Sequence, residues 1–254
     1  MPAAQLSRML AGERTVLSAW AGLGDPVVHE TLLRTFDVLT LDVQHGLQSV
    51  AEIREGCARA VLMGKPAVVR VPIGDLALAA RSLDFGATGV ILPMVEGAAD
   101  AAAFAKALRY APSGTRSYGP ARAVDLFGYE SGKAYMDIAN AAVVSLAMIE
   151  TASAYAEIDA ILAVPELGGI FVGPSDLSMA IGSKGLDPNG EETDAAARSI
   201  LAKAKAAGKA TAIYAATAAD ARRYRDMGYA MICIASDIGL LRAASAAIVA
   251  EVRA

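Results

Sequence analysis

Two carboxylates stand where apolar runs stop: Glu150 ends "AVVSLAMIE" and Asp176 follows "GIFVGPS". A hydrophobic run that finishes in an oxygen donor delivers that donor to a surface on a rigid element. Two such donors, with no Cys or His cluster nearby, suit a hard divalent ion such as Mg²⁺ or Mn²⁺, with Co²⁺ also compatible. Taken singly, each carboxylate reads as the cap of a following helix; taken together at neighbouring run ends, they favour the metal. Arg70, in "VVRVP", follows two valines, where a guanidinium is costly to bury unless paired. It is either the ion-pair partner of Asp42 or another carboxylate, or the group that recognises a carboxylate or enolate oxygen on a substrate. His45, in "LDVQHG" beside Asp42 and Gln44, is the better placed of the two histidines for proton transfer. Asp84, in "SLDFGATG", is the candidate to orient its ring. His29, in the helical "DPVVHETLLR", reads as a surface residue.

The elements that must carry these groups recur along the chain. Apolar, β-rich runs appear at "TVLSAW", "FDVLTLDV", "AVVRVP", "TGVILP", "AVVSLAMIE", "GIFVGP", "ATAIYA" and "AMICIA". Helical periodicity fills the intervals at 51–62, 76–85, 98–108, 154–162, 195–206 and 218–227. Alternation of this kind implies parallel strands with right-handed crossovers, and near-continuous Val/Ile/Leu runs imply strands covered on both faces. Eight such units in 254 residues predict an α/β fold, a single (β/α)₈ TIM barrel over residues 1–254. In that fold the chemistry belongs at the C-terminal ends of the strands, where Asp42, Gln44, His45, Arg70, Glu150, Gly173, Pro174, Ser175, Asp176, Tyr214, Ser236 and Asp237 fall. Residues 110–140 form the one long excursion, and a loop of that length in a compact domain is usually functional. Its Arg116, Tyr118 and Arg122 either face solvent or reach a substrate across an interface. The last helix, about 240–252, is rich in Ala, Leu, Ile and Val, and either closes the barrel or docks on another subunit.

Composition removes several function classes. A net charge of −4 with scattered Lys and Arg lacks the electrostatic footprint of a nucleic-acid binder. No stretch has the length of a spanning helix or the pattern of a signal peptide, which predicts a soluble cytoplasmic protein without a membrane partner. Cys57 and Cys233 have no metal-ligand spacing and read as buried thiols of a reducing compartment. An imine-forming aldolase needs a lysine at a strand's C-terminal end. None is there: Lys65 and Lys209 precede strands, and the others lie in helices or loops. "AGLGDPVV" fails as a dinucleotide loop because Val27 replaces the third glycine and Pro26 intrudes.

Together "LDVQHG", "VVRVP", "SLDFGATGVILPMVE", "RYAPSGTRS", "MIET" and "GIFVGPSDLS" resemble, in order and over nearly the whole chain, the HpcH/HpaI family of class II, metal-dependent pyruvate aldolases. The resemblance implies reversible cleavage of 4-hydroxy-2-oxo acids to pyruvate or hydroxypyruvate plus an aldehyde. It also implies a homo-hexamer, a trimer of dimers with an exchanged C-terminal helix. By motif position Glu150 and Asp176 become the metal ligands, Arg70 the keto-oxygen contact, His45 with Asp84 the proton-transfer dyad, and Asp42 a support. Gly173, Pro174, Ser175, Asp176, Gln44 and Tyr214 join Arg70 around the substrate. The turn at Gly173 to Ser175 leaves N–H groups at a helix start for the substrate carboxylate. Three residues depart from the family pattern: Gln44 for a glutamate, Met148 for a glutamine before the metal-binding glutamate, and Tyr214 for an aliphatic residue near the aldehyde. The rival expectations are a related lyase or decarboxylase acting on an acyl-CoA or oxaloacetate, and a non-catalytic 2-oxo-acid binding barrel. Retention of His45, Asp84 and Arg70 together speaks against the second.

Overall fold

In the computed structural model, which describes residues 2–254, eight parallel strands close into a barrel in chain order. They are β1 (Val16–Ala21), β2 (Val38–Asp42), β3 (Ala67–Arg70), β4 (Gly89–Leu92), β5 (Val144–Ile149), β6 (Gly169–Val172), β7 (Ala210–Ala215) and β8 (Met231–Ser236). Each coincides with one of the eight apolar runs. β8 pairs back on β1, and the register shifts between Ala19 and Trp20, where Trp20 meets Ser236.

Helices precede, separate and follow the strands: α1 (Gln5–Leu10), α2 (Pro26–Leu33), α3 (Val50–Leu62), α4 (Leu76–Asp84) and α5 (Ala98–Ala107) come first. Then follow α6 (Ala121–Phe127), α7 (Gly132–Ala142), α8 (Ala152–Ala156), α9 (Ile158–Leu162) and α10 (Pro174–Ile181). The last three are α11 (Glu191–Ala206), α12 (Ala218–Met227) and α13 (Asp237–Arg253). Their starts are chemically marked. Asp25, Ser49, Asp75, Ser131, Thr151, Thr217 and Ser236 each accept a first-turn N–H, and Ser49 with Glu52 and Thr217 with Asp220 complete capping boxes. The single helix expected over 154–162 is broken into α8 and α9 around Glu157.

Two layers of apolar packing follow from strands that are buried on both faces. The outer one lies between strands and helices and includes Leu41, Val69, Ile149 and Val172 with Ile53, Leu83, Phe104 and Leu177. The inner one fills the barrel with Val38, Val68, Ile91, Leu146, Phe171 and Met231. Leu6 and Leu10 of α1 belong to this inner cluster and plug the N-terminal end of the barrel. The start of β4 is glycine because a Cβ on Gly89 would press on Leu6 Cδ2. A small polar layer survives inside, where the Ser18 and Thr40 hydroxyls lie 2.7 Å apart and Cys233 Sγ is 3.5 Å from Thr40 Oγ1. Both cysteines are buried and free.

Residues 110–140 are not an irregular loop over the mouth. They contain α6 and α7 with a satellite core of Tyr110, Val124, Phe127 and Tyr135. They connect α5 to the start of β5, which puts them at the N-terminal end of the barrel, away from their own strand C-termini. The C-terminal helix does not close the barrel either. Only Asp237 of α13 is buried, while Leu241, Ile248, Val249 and Val252 are exposed. No helix among the described residues is long and apolar enough to cross a membrane.

Candidate active site

A cavity of about 250 Å³ opens at the C-terminal ends of the strands, lined by Trp20, Asp42, His45, Arg70, Met148, Gly173 to Asp176, Tyr214 and Ser236. Its floor is an ion pair. Asp42 and Arg70 end adjacent strands in register, and the guanidinium donates from Nε to Oδ1 at 2.8 Å and from Nη2 to Oδ2 at 2.7 Å. Of the two readings of Arg70, the Asp42 pair is therefore present. Both side chains are buried, and Asp42 also accepts from Gln44 N, His45 N and Trp20 Nε1. Burying two charges is tolerable when the geometry is bidentate and the spare lone pairs are used. The Arg70 guanidinium carbon lies 4.6 Å from the centroid of the Trp20 ring, which adds a cation–π contact. Among the described residues Nη1 of Arg70 has no acceptor, and the side chain lines the cavity.

His45 is exposed at the rim, its backbone N–H tied to Asp42. Gln44 does not reach the cavity. Its backbone N–H is tied to Asp42 Oδ1, and among the described residues its buried Oε1 has no donor. Asp84 is not brought to His45 within the chain. It ends α4, a helix that runs back from the mouth, and at the barrel's far end it pairs with Arg116 at 2.6 Å. His29 is buried rather than on the surface. Its Nε2 lies 2.8 Å from Leu23 O, so Nε2 carries the proton and Nδ1 is an acceptor without a donor. Burial is the main cause that pushes its pKa down, against the Leu23 carbonyl, Asp237 and Asp25. The unfolded chain therefore takes up a proton near pH 6.5 that the folded one resists, and stability present above that value is lost as pH falls below it. Thermal melts should show a steeper loss from pH 7 to 5 in the wild type than in His29→Gln.

Glu150, directly after β5, is buried, and its Oε1 accepts the N–H of Met94 at 2.8 Å. Met94 holds that N–H in place with a φ of 52°, a conformation that a side chain rarely adopts. Oε2 is buried with no partner. Burial chiefly raises the Glu150 carboxyl to about 7, opposed by Met94 N–H and assisted by the nearby negative charge of Asp176, with Arg70 pulling weakly the other way. An unpartnered carboxylate oxygen beside a second carboxylate is what a cation would relieve. Asp176 lies in the first turn of α10, half-buried on the cavity wall. Glu150 stands behind Gly173, where an added Cβ would collide with Oε2 and with Met148 Cε. Gly173→Ala should weaken divalent-cation affinity by about 10- to 100-fold, measurable by calorimetric titration. Among the described residues no three His, Cys, Asp or Glu side chains converge as a metal cage. Two carboxylates without a third suit an ion that keeps several positions for water and substrate.

β6 is followed at once by Gly173 at the N-cap and Pro174 as the first residue of α10, so the helix starts without a side-chain cap. The Ser175 and Asp176 N–H groups are the orphans of that first turn and face the cavity wall. Tyr214 and Trp20 meet edge to face with centroids 5.3 Å apart on the opposite wall. Trp20 and Met94 are absent from the site expected from the sequence, whereas Ser236, expected at the end of the eighth strand, lines the cavity. Ser236 is turned in by Ala235, whose φ is 48°, at the irregular β1–β8 pairing.

A family model described as HpcH/HpaI aldolase/citrate lyase matches residues 20–244. The chain is 35% identical over 243 residues to a hydroxypyruvate/pyruvate aldolase of Rhizorhabdus wittichii, covering 95% of each protein. It is 33% identical over 237 residues to a 5-keto-4-deoxy-D-glucarate aldolase of Citrobacter koseri, covering 93% of this chain and 91% of that one. The crystal structure of an HpcH/HpaI aldolase/citrate lyase family protein from Burkholderia cenocepacia superposes with a TM-score of 0.87 at 30% identity, covering 98% of both chains.

Proposed function

The chain belongs to the HpcH/HpaI aldolase/citrate lyase family, and from that premise we propose that it cleaves 4-hydroxy-2-oxo acids reversibly to pyruvate or hydroxypyruvate plus an aldehyde. It is a metal-dependent aldolase, a carbon–carbon lyase. The observation that carries the assignment to this cavity is the orphaned Oε2 of Glu150 beside Asp176. These two carboxylates would hold Mg²⁺ or Mn²⁺, which when bound supplies Lewis-acid stabilisation of negative charge on the keto oxygen.

The remaining work falls to the chain's own groups. Arg70, its fork fixed by Asp42, presents Nη1 to the keto oxygen, where charge develops as the C3–C4 bond breaks. The free amides at the start of α10 receive the substrate carboxylate. His45, exposed at the rim, takes the proton from the C4 hydroxyl in cleavage and returns it in condensation. Trp20 and Tyr214 flank the aldehyde end.

Asp84 stands at the opposite end of its own barrel, so an Asp84–His45 pair forms only between two copies of the chain. We infer a homo-hexamer, a trimer of dimers, for which the uncovered apolar residues of α13 supply a contact surface. It works in the cytoplasm, where its two buried cysteines remain thiols. The direct test is deuterium exchange at the methyl group of pyruvate, with and without aldehydes. Exchange that needs added divalent ion and stops with chelator supports the reading; exchange insensitive to chelator overturns it. Co-assembling His45→Ala with Asp84→Ala chains should restore roughly a quarter of the activity if sites are shared at random between subunits. No restoration refutes the shared dyad.

A further inference from the structure

At the barrel end opposite the mouth, a second cavity of about 310 Å³ lies between α1, the end of α7 and the chain entering β5 and β7. Ser7, Leu10, Arg109, Val143, Gly168 and Lys209 are among its lining residues. That volume is at the lower end of the range for small-ligand sites. Nothing in the proposed aldol chemistry uses it.

Arg109 is the unusual member. It is 8% exposed, yet among the described residues no carboxylate oxygen comes within 4.0 Å of its guanidinium. Only Nη1 is occupied, donating to Ala105 O at 3.0 Å and Ser145 Oγ at 3.4 Å. Ser145 is itself fixed, accepting from Gly168 N at 2.9 Å and donating to Glu166 O at 3.3 Å. The head group is thus held from one side. Among the described residues Nε and Nη2 donate to no protein atom, and neither is sealed from solvent, in a side chain that lines the cavity.

Those two nitrogens form the edge with which Arg70 grips both oxygens of Asp42. In Arg109 the same fork is pre-positioned and has no protein acceptor. Lys209, which shares the cavity, spends its ammonium on Val164 O, Pro165 O and Leu167 O. It adds positive potential without competing for the ligand's place. Glu166 is an opposing charge felt by both cations, and among the described residues it forms an ion pair with neither. A guanidinium this buried is costly unless an anion meets it.

We propose that this cavity is a binding site for a small oxyanion, a carboxylate or a phosphate, received bidentately by Nε and Nη2 of Arg109. The site is separate from the mouth, at the other end of the strands, and is independent of the aldolase reading. Carboxylate and phosphate share the paired oxygens that the fork matches.

The test is equilibrium dialysis of the metal-loaded protein against labelled inorganic phosphate and, separately, labelled butyrate, in the wild type and Arg109→Gln. The expected result is one additional bound anion per wild-type chain, at least tenfold weaker in the variant, with aldol turnover unchanged. Binding of phosphate alone or butyrate alone identifies which oxyanion the site takes. Superimposable isotherms for the two proteins, or no binding beyond the mouth, overturn the proposal. Should Arg109→Gln fail to fold, Ala141→Phe fills the cavity from α7 and leaves both cations in place. Loss of the extra anion in that variant supports the site, and its retention refutes it.

Discussion

Glu150→Gln loses divalent-ion-dependent turnover by at least about 10²- to 10³-fold, the scale on which removal of a single group stabilising transition-state charge is felt. The fold survives. Glu150 offers one oxygen to Met94 N–H, and its other, buried oxygen has no donor among the described residues and faces the charge of Asp176. An amide keeps the accepting oxygen, removes a buried charge and points two N–H donors toward Asp176. Chemical denaturation of the ion-free variant should therefore give a midpoint equal to or above that of the ion-free wild type. Added divalent ion should raise the wild-type midpoint and leave the variant's unchanged, because only the wild type gains binding free energy. A variant with full ion-dependent activity would remove Glu150, and with it the assignment of this cavity.

Arg70 separates two roles that one deletion would merge. Arg70→Lys keeps a positive charge but replaces a planar fork with a point donor, so it cannot hold both oxygens of Asp42 and also present a free edge. Its kcat should fall about 10²- to 10³-fold with a modest change in stability. Arg70→Ala should add a destabilisation of about 3–5 kcal/mol, because Asp42 stays buried with its partner gone. Urea denaturation beside steady-state kinetics distinguishes the two variants. Equal stability loss in both would mean that the paired fork contributes nothing beyond its charge.

The barrel was legible because its strands are apolar on both faces, which leaves a continuous Val/Ile/Leu signal that no surface helix imitates. The segment 110–140 was opaque for the converse reason: its glycines, prolines and tyrosines mask two short helices. Local marks were present, since Gly128 sits in a left-handed C-cap with φ 70° and Ser131 caps the next helix. Asp42, Arg70 and the Gly173–Asp176 turn converge because strand ends are where a barrel sends polar groups. Asp84, between a helix and the next strand, belongs at the far end of its own barrel with Lys65 and Lys209, so its motif position alone does not say which copy's His45 it meets. Trp20 lies inside an apolar run, one residue before the end of β1, and reads there as core. Met94 acts through its backbone N–H, and no side-chain pattern reports that. His29 precedes the buried Leu33 by one helical turn, a spacing that already placed it on the inner face of α2.

The packed barrel interior, closed at its far end by the leucines of α1, makes the molecule a cup, not a pipe. Reactants enter and products depart over one rim, so traffic is single-file. An aldehyde held against the wall formed by Tyr214 and Trp20 obstructs the keto acid behind it, which imposes a loading order. The keto acid goes in first and comes out last, and product-inhibition patterns in the cleavage direction should be those of an ordered release.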